Sequence, residues 1–197
     1  MTATSEAPAA PAVPGLTYVA DYLSPEEHDR LVATIDCQPW LTALQRRVQH
    51  YGYRYDYKAR KVARDFYLGP LPGWAAELAG RLRREGWFDR PPDQLIVNEY
   101  QPGQGISKHV DCVPCFGPTV VSLSLGSTCV MELAEAKTKR KVPLLLAPRS
   151  AVVLREDARY RWTHAVPARK SDAFAGRTYP RSRRLSLTFR TVLLAGE

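Results

Sequence analysis

The sequence predicts a mainly β fold with flanking helices, an α+β chain whose second half closes into an antiparallel barrel or jelly roll. Three observations predict it. From residue 94 onward, short apolar and β-branched runs at 95–97, 120–125, 129–131, 142–146, 151–154 and 185–189 are separated by Gly and Pro, the pattern of several short strands. Before that point two stretches carry helix signals instead. The length of 197 residues suits one domain with a single sizeable core.

The elements follow in order. Residues 1–15 are rich in Ala and Pro and read as a disordered tail, leaving 16–197 as one domain. Ser24-Pro25-Glu26-Glu27 is a helix start, with a capping hydroxyl, a proline suited to the first turn and acids at the positive end of the dipole. Leu31, Val32 and Ile35 supply that helix with an inner face, and Pro39 lies beyond its end. In residues 46–57, Tyr51, Tyr53, Tyr55 and Tyr57 alternate among basic groups, so that in a strand all four share one face. Two readings stand for them: an aromatic packing stripe, or a platform on which bases stack. A second helix is expected over roughly residues 72–85.

Composition narrows the class. A charged share of 24% beside an apolar share of 45% is that of an ordinary globular protein. No apolar run is long enough for a membrane helix. No export signal is visible at the start, so a cytoplasmic location is expected, with Cys37, Cys112, Cys115 and Cys129 as reduced thiols. Cys112-Val-Pro-Cys115 has the spacing of half a zinc site, but there is no second such pair to complete it. A net charge of +8 favours polyanionic partners.

The chemistry rests on few residues. His109 and Asp111 lie two apart, so on an extended segment their side chains leave one face and reach one metal. His164 is the best third ligand. Two histidines and one carboxylate on one side of a metal leave positions open for a cosubstrate and O2, which suits non-haem Fe(II). Arg184 and Arg190 share a strand face with Ser186 and Thr188 between them. Their backbones stand roughly 20 Å apart. Planar guanidinium groups suit carboxylates, and a basic edge strand that resists aggregation is the competing reading.

His109-x-Asp111, then His164, then Arg184-x5-Arg190 resembles the AlkB family of Fe(II)/2-oxoglutarate dioxygenases. The resemblance takes in the segment from Leu95 through Asn98 and Tyr100 to Asp111, residues 121–126 and 187–190, and spans roughly residues 45–192. It implies a double-stranded β-helix, a cupin-like jelly roll, under an N-terminal nucleotide-recognition lid. It implies His109, Asp111 and His164 as iron ligands, and Asn98, Tyr100, Arg184, Arg190 and Ser186 around 2-oxoglutarate, with O2 as the oxidant. It further implies oxidation of an alkyl group on a base in DNA or RNA. Separately, a monomer is expected.

Residues 46–57, with Pro92-Asp-Gln-Leu95 and Trp162-Thr-His164, look especially like the AlkB domain of tRNA wobble-uridine hydroxylases. Two positions depart from the founding bacterial member: Val113 replaces an aspartate that helps to read the base there, and Ser186 replaces an asparagine. A base must leave its stack to reach such a site. Arg47, Tyr51, Tyr53, Tyr55 and Tyr57, with Trp40, are the candidates to hold it. Arg46, Lys58, Arg60, Lys61 and Arg64 flank them as phosphate contacts. Lys137, Lys139, Arg140 and Lys141 read as a solvated hairpin tip. Three functions remain: oxidative dealkylation of N-alkylated bases in alkylation repair, side-chain hydroxylation of a tRNA uridine, or a non-catalytic jelly roll that binds nucleic acid.

Overall fold

The computed structural model describes residues 13–42 and 44–194. Residues 1–12, most of the expected tail, lie outside them. The expected tail boundary at residue 15 is corrected. Val13 is buried in the core, and the carbonyls of Pro14 and Gly15 accept hydrogen bonds from Ala158 and Arg155.

Strand β1 (Leu16–Val19) leads into helix α1 (Pro25–Asp36). The helix begins where the sequence predicts. Ser24 Oγ accepts from the Glu27 N–H, and the Glu27 carboxylate accepts from the Ser24 N–H, a reciprocal cap for two otherwise orphaned donors. Then come β2 (Val48–Tyr51) and α2 (Gly73–Arg84). The strand-rich part holds β3 (Gln94–Tyr100), β4 (Ile106–His109), β5 (Phe116–Gly126), β6 (Cys129–Glu135), β7 (Lys141–Leu146) and β8 (Ala151–Leu154). It continues through α3 (Glu156–Tyr160), β9 (Trp162–Val166), β10 (Ser171–Phe174), β11 (Arg177–Pro180) and β12 (Arg184–Val192). Each apolar run singled out in the sequence falls within one strand. Among the described residues no helix is long and apolar enough to cross a membrane.

The strands form a six-stranded antiparallel sheet in the order β1-β8-β5-β12-β3-β2 and a four-stranded one in the order β4-β9-β6-β7, with β10 and β11 as a separate hairpin. The two sheets face each other as a jelly roll. Strand β12 lies at the centre of the larger sheet and is buried along its whole length. Its alternation sorts two environments. Leu185, Leu187 and Phe189 join Leu31, Ile35, Leu78 and Leu82 of α1 and α2 in one core, which covers the outer face of the sheet. Arg184, Ser186, Thr188 and Arg190 point the other way, into the space between the sheets. A second core of Met131, Leu133, Leu144, Val152 and Trp162 closes the rest of that space.

The tyrosine alternation does not survive as one strand. Strand β2 ends at Tyr51, and Gly52 has φ +76°. A Cβ on Gly52 would lie 1.8 Å from the Asp93 carbonyl oxygen, so only glycine permits both the turn and this close approach. The chain beyond it leaves the sheet as a loop. Tyr51 packs edge-to-face on Trp74 of α2, Tyr53 packs on Tyr67, and Tyr55 and Tyr57 turn toward the inter-sheet space. Residues 137–140 are the exposed tip between β6 and β7, and Lys141, exposed as well, begins β7.

The cysteine expectation is also corrected. Cys112 and Cys115 are joined as a disulfide. The N–H groups of Cys115 and Phe116 both donate to the Cys112 carbonyl, and the turn brings the two Cα atoms to 5.2 Å, within disulfide reach. Both sulfurs lie in a buried cluster and touch the Arg60 carbonyl.

Candidate active site

Strand pairing brings the two candidate histidine ligands together. His109 ends β4 directly opposite His164 on β9, and their rings sit 4.3 Å apart. Asp111 follows two residues later, where the chain leaves the strand. One ligand atom from each of His109, Asp111 and His164 lies within 4.8 Å of the others. His109 Nδ1 meets the Ser107 carbonyl at 2.8 Å. A carbonyl only accepts, so Nδ1 carries the proton and Nε2 keeps its lone pair. Burial and the neighbouring His109 push His164 down to about 4, so it is neutral and able to bind a metal at neutral pH. Burial alone would favour the neutral form of Asp111. The Arg190 guanidinium, with His164 and His109, outweighs it and holds this carboxyl well below the usual range.

The loop carrying Asp111 is anchored by a residue the sequence reading passed over. Arg159 on α3 is 2% exposed. It donates to the carbonyls of Asp111 (2.9 Å), Phe116 (3.2 Å) and Gly117 (3.2 Å), and more weakly to that of Cys112. Nothing in the local sequence sets this arginine apart, because its partners are main-chain atoms more than 40 residues away.

An inner cavity lies between the sheets. It is lined by the three candidate ligands His109, Asp111 and His164 together with Asn98, Tyr100, Arg184, Ser186 and Arg190. All five side chains that the sequence places around 2-oxoglutarate therefore meet beside the ligands. Their states differ. Arg184 donates to Ser124 Oγ, and its Nε is buried without a partner. Arg190 is already engaged, donating to Asp111 Oδ1 at 2.8 Å and to Gln94. Ser186 Oγ pairs with Ser122 Oγ, and Asn98 Oδ1 accepts from Arg46. Asp111 Oδ2 and the Nε of Arg190 are likewise buried without partners. A buried carboxylate oxygen lacking a donor beside two histidines fits a divalent cation. Unsatisfied guanidinium N–H groups in the same cavity fit a carboxylate cosubstrate.

A wider cavity of about 670 Å³ extends from His109 and Asp111, and Arg46, Tyr55, Tyr57, Arg60 and Lys108 are among the residues that line it. Tyr55 and Tyr57 meet edge-to-face at 5.1 Å. Of the candidate substrate residues, Tyr51 and Tyr53 do not line this cavity. Arg47 forks onto Glu99, which Arg183 also holds, and it stacks on Trp40. Its neighbour Arg46 takes the cavity position. The sequence could not separate the two, because the choice depends on which of two adjacent side chains faces inward.

An open face of two histidines and one carboxylate inside a jelly roll, beside arginines with spare donors, defines the class of non-haem iron oxygenases that use an α-keto acid. A family model described as the 2OG-Fe(II) oxygenase superfamily matches residues 15–190, and the chain belongs to that superfamily, within its AlkB family. Its cofactors are Fe(II), 2-oxoglutarate and O2. An uncharacterised protein of Acanthamoeba polyphaga mimivirus is 34% identical over 91% of this chain and 85% of its own length. The Alkylated DNA repair protein ALKBH8 homolog of Arabidopsis thaliana is 34% identical over 91% of this chain, which spans 59% of that protein. The tRNA (carboxymethyluridine(34)-5-O)-methyltransferase alkbh8 of Xenopus tropicalis is 35% identical, and the match spans 32% of it. The solved structure of OsALKBH1 aligns with a TM-score of 0.65 over 90% of this chain and 97% of that one, at 20% identity. A Pseudomonas putida prolyl-4-hydroxylase aligns at 0.60 and 16% identity over 92% and 94% of the two chains. These two likenesses concern the fold.

Proposed function

We propose that this chain oxidises an alkyl substituent on a nucleobase in DNA or RNA. The observation that carries this reading is the outer cavity, where two tyrosines and three cationic side chains surround an opening onto His109 and Asp111. Aromatic faces stack on bases and cationic groups meet phosphates.

His109, Asp111 and His164 are assigned to iron. Arg184 and Tyr100 are assigned to 2-oxoglutarate, with Asn98 and Ser186 shaping its cavity. When bound, iron and 2-oxoglutarate supply the oxidising chemistry, in which 2-oxoglutarate and O2 are consumed as a carbon gains an oxygen. The chain does the rest. Ser107 fixes the His109 tautomer, Arg190 keeps Asp111 ionised and turned toward the histidines, and the two apolar cores exclude water from the inner cavity. Tyr55 and Tyr57 are assigned to hold the base, and Arg46, Arg60 and Lys108 to hold its flanking phosphates.

Our first reading is oxidative dealkylation of an N-alkylated base. The names of the plant relative and of the probable RNA/DNA demethylase ALKBH6 of Danio rerio, 27% identical, support it. The second is hydroxylation of a uridine substituent in tRNA; the name of the frog relative, a methyltransferase, supports a tRNA uridine as the substrate and not the reaction. Succinate release and aldehyde release separate them, measured on methylated oligonucleotides and on total tRNA. Dealkylation releases formaldehyde from a methylated base, whereas hydroxylation leaves the substituent in place with one added oxygen. His109→Ala is expected to abolish iron-dependent succinate release while the chain stays folded. Full activity in that variant overturns the assignment, and so does the absence of succinate release with every nucleic acid.

A further inference from the structure

A partly buried histidine sets the hydrogen-bonding character of the outer cavity. His50 of β2 accepts on Nδ1 from the backbone N–H of Tyr55 at 3.1 Å. A backbone N–H can only donate, so Nδ1 holds its lone pair. Burial, and after it the charges of Arg190, Arg54 and Arg46, push His50 down to about 4. The ring is therefore neutral at physiological pH, and its one proton sits on Nε2. That Nε2 lies 3.2 Å from the Tyr57 hydroxyl and donates to it. Burial raises the Tyr57 phenol, so the hydroxyl keeps its own hydrogen. Its oxygen accepts from His50, and no acceptor among the described residues takes that hydrogen. It is left to serve the cavity that Tyr57 lines. Arg46, Arg60 and Lys108 line the same cavity and are donors only.

We propose that His50 and Tyr57 form a specificity couple, in which His50 orients the Tyr57 hydroxyl to donate to a carbonyl oxygen of the bound nucleobase. The cavity then selects a base that presents oxygen at that point over one that presents an amino group. This rests on the nucleobase reading above. An amino group there sets donor against donor and leaves the hydroxyl unpaired in a partly desolvated site. Tyr57 is the specificity residue, and His50 is a positioning residue that acts through it.

The test uses the full chain with Fe(II) and 2-oxoglutarate, kept free of O2. It measures affinity for two single-stranded RNAs that differ only at one central base, 5-methyluridine or 5-methylcytidine. The two bases are neutral and of the same shape; position 4 exchanges a carbonyl oxygen for an amino group, and N3 changes with it from a donor to an acceptor. The parent chain is expected to prefer the uridine strand by about tenfold. Tyr57→Phe is expected to bring the two affinities together. His50→Gln retains an acceptor and a donor on one amide and is expected to preserve the preference. His50→Leu is expected to lose it, with a melting temperature a few degrees below that of His50→Gln because the Tyr55 N–H loses its acceptor. A purely structural role for His50 predicts instead that both His50 variants lose affinity for the two strands alike, and that result overturns the proposal. Equal binding of both strands by the parent, or an undiminished preference in Tyr57→Phe, overturns the couple alone. Binding of neither strand overturns the nucleobase reading with it.

Discussion

Replacing Arg159 by Met tests whether one buried cation holds the metal-ligand loop. Methionine fills a similar volume and removes the guanidinium. The carbonyls of Asp111, Phe116 and Gly117 then lose the donor that Arg159 supplies. Cys112 keeps the N–H groups of Cys115 and Phe116, so its carbonyl is not orphaned. Three lost hydrogen bonds at about 1 kcal/mol each cost about 3 kcal/mol. Burial disfavours the Arg159 charge itself, so removing that charge returns part of the cost. A net loss of about 2 kcal/mol lowers the melting temperature of a chain this size by roughly 4–8 °C. The same substitution frees the backbone of Asp111, so Mn(II) affinity, with Mn(II) as a redox-quiet probe of the iron site, is expected to fall by at least about tenfold. Thermal denaturation and Mn(II) titration read the two effects separately. A melting temperature within about 1 °C of the parent, together with unchanged Mn(II) affinity, refutes the argument that these hydrogen bonds hold the ligand in place.

Three further outcomes are expected. Arg184→Met removes spare guanidinium donors from the inner cavity and leaves the Arg190–Asp111 pair intact, so KM for 2-oxoglutarate rises about tenfold or more while Mn(II) affinity holds; the opposite ranking contradicts the assignment. Because the folded chain disfavours protonated His50, the unfolded chain takes up that proton first as the pH falls. Stability from this group is complete above about 6.5 and declines down to about 4, amounting to roughly 2 kcal/mol once partial exposure is allowed for. Urea unfolding across that window should show a shallower acid-side loss in His50→Gln, and identical slopes would refute the shift. Gly52→Ala forces a side chain into left-handed backbone and onto the Asp93 carbonyl, at a cost of about 3 kcal/mol or more; an unchanged unfolding midpoint would show that the loop enters differently.

How legible the protein was depends on the range of each interaction. The capped helix at Ser24 and the strand runs are local patterns, and the structure places them where they were read. The alternation along Arg184–Arg190 correctly placed four polar side chains on one face. The tyrosine alternation looked equally regular, yet a single glycine ends the strand at Tyr51, and the four rings go to three different environments. The Cys112–Cys115 pair was read by compartment rather than by geometry, although a three-residue separation in a turn is enough to join them.

The sequence by itself determined the fold class and the candidate metal donors. His109-x-Asp111 and His164 suggest a metal site through residue type and spacing, the two arginines take their role from the family resemblance, and the strand rhythm states a barrel or a jelly roll. Only the tertiary structure decided which atoms are free to act. Pairing β4 with β9 sets His164 against His109, Arg159 reaches across to fix the loop of Asp111, and the Tyr55 backbone dictates the tautomer of His50. Each of these depends on partners brought together by strand pairing and packing, and main-chain donors and acceptors carry no mark in the identity of the residues that own them.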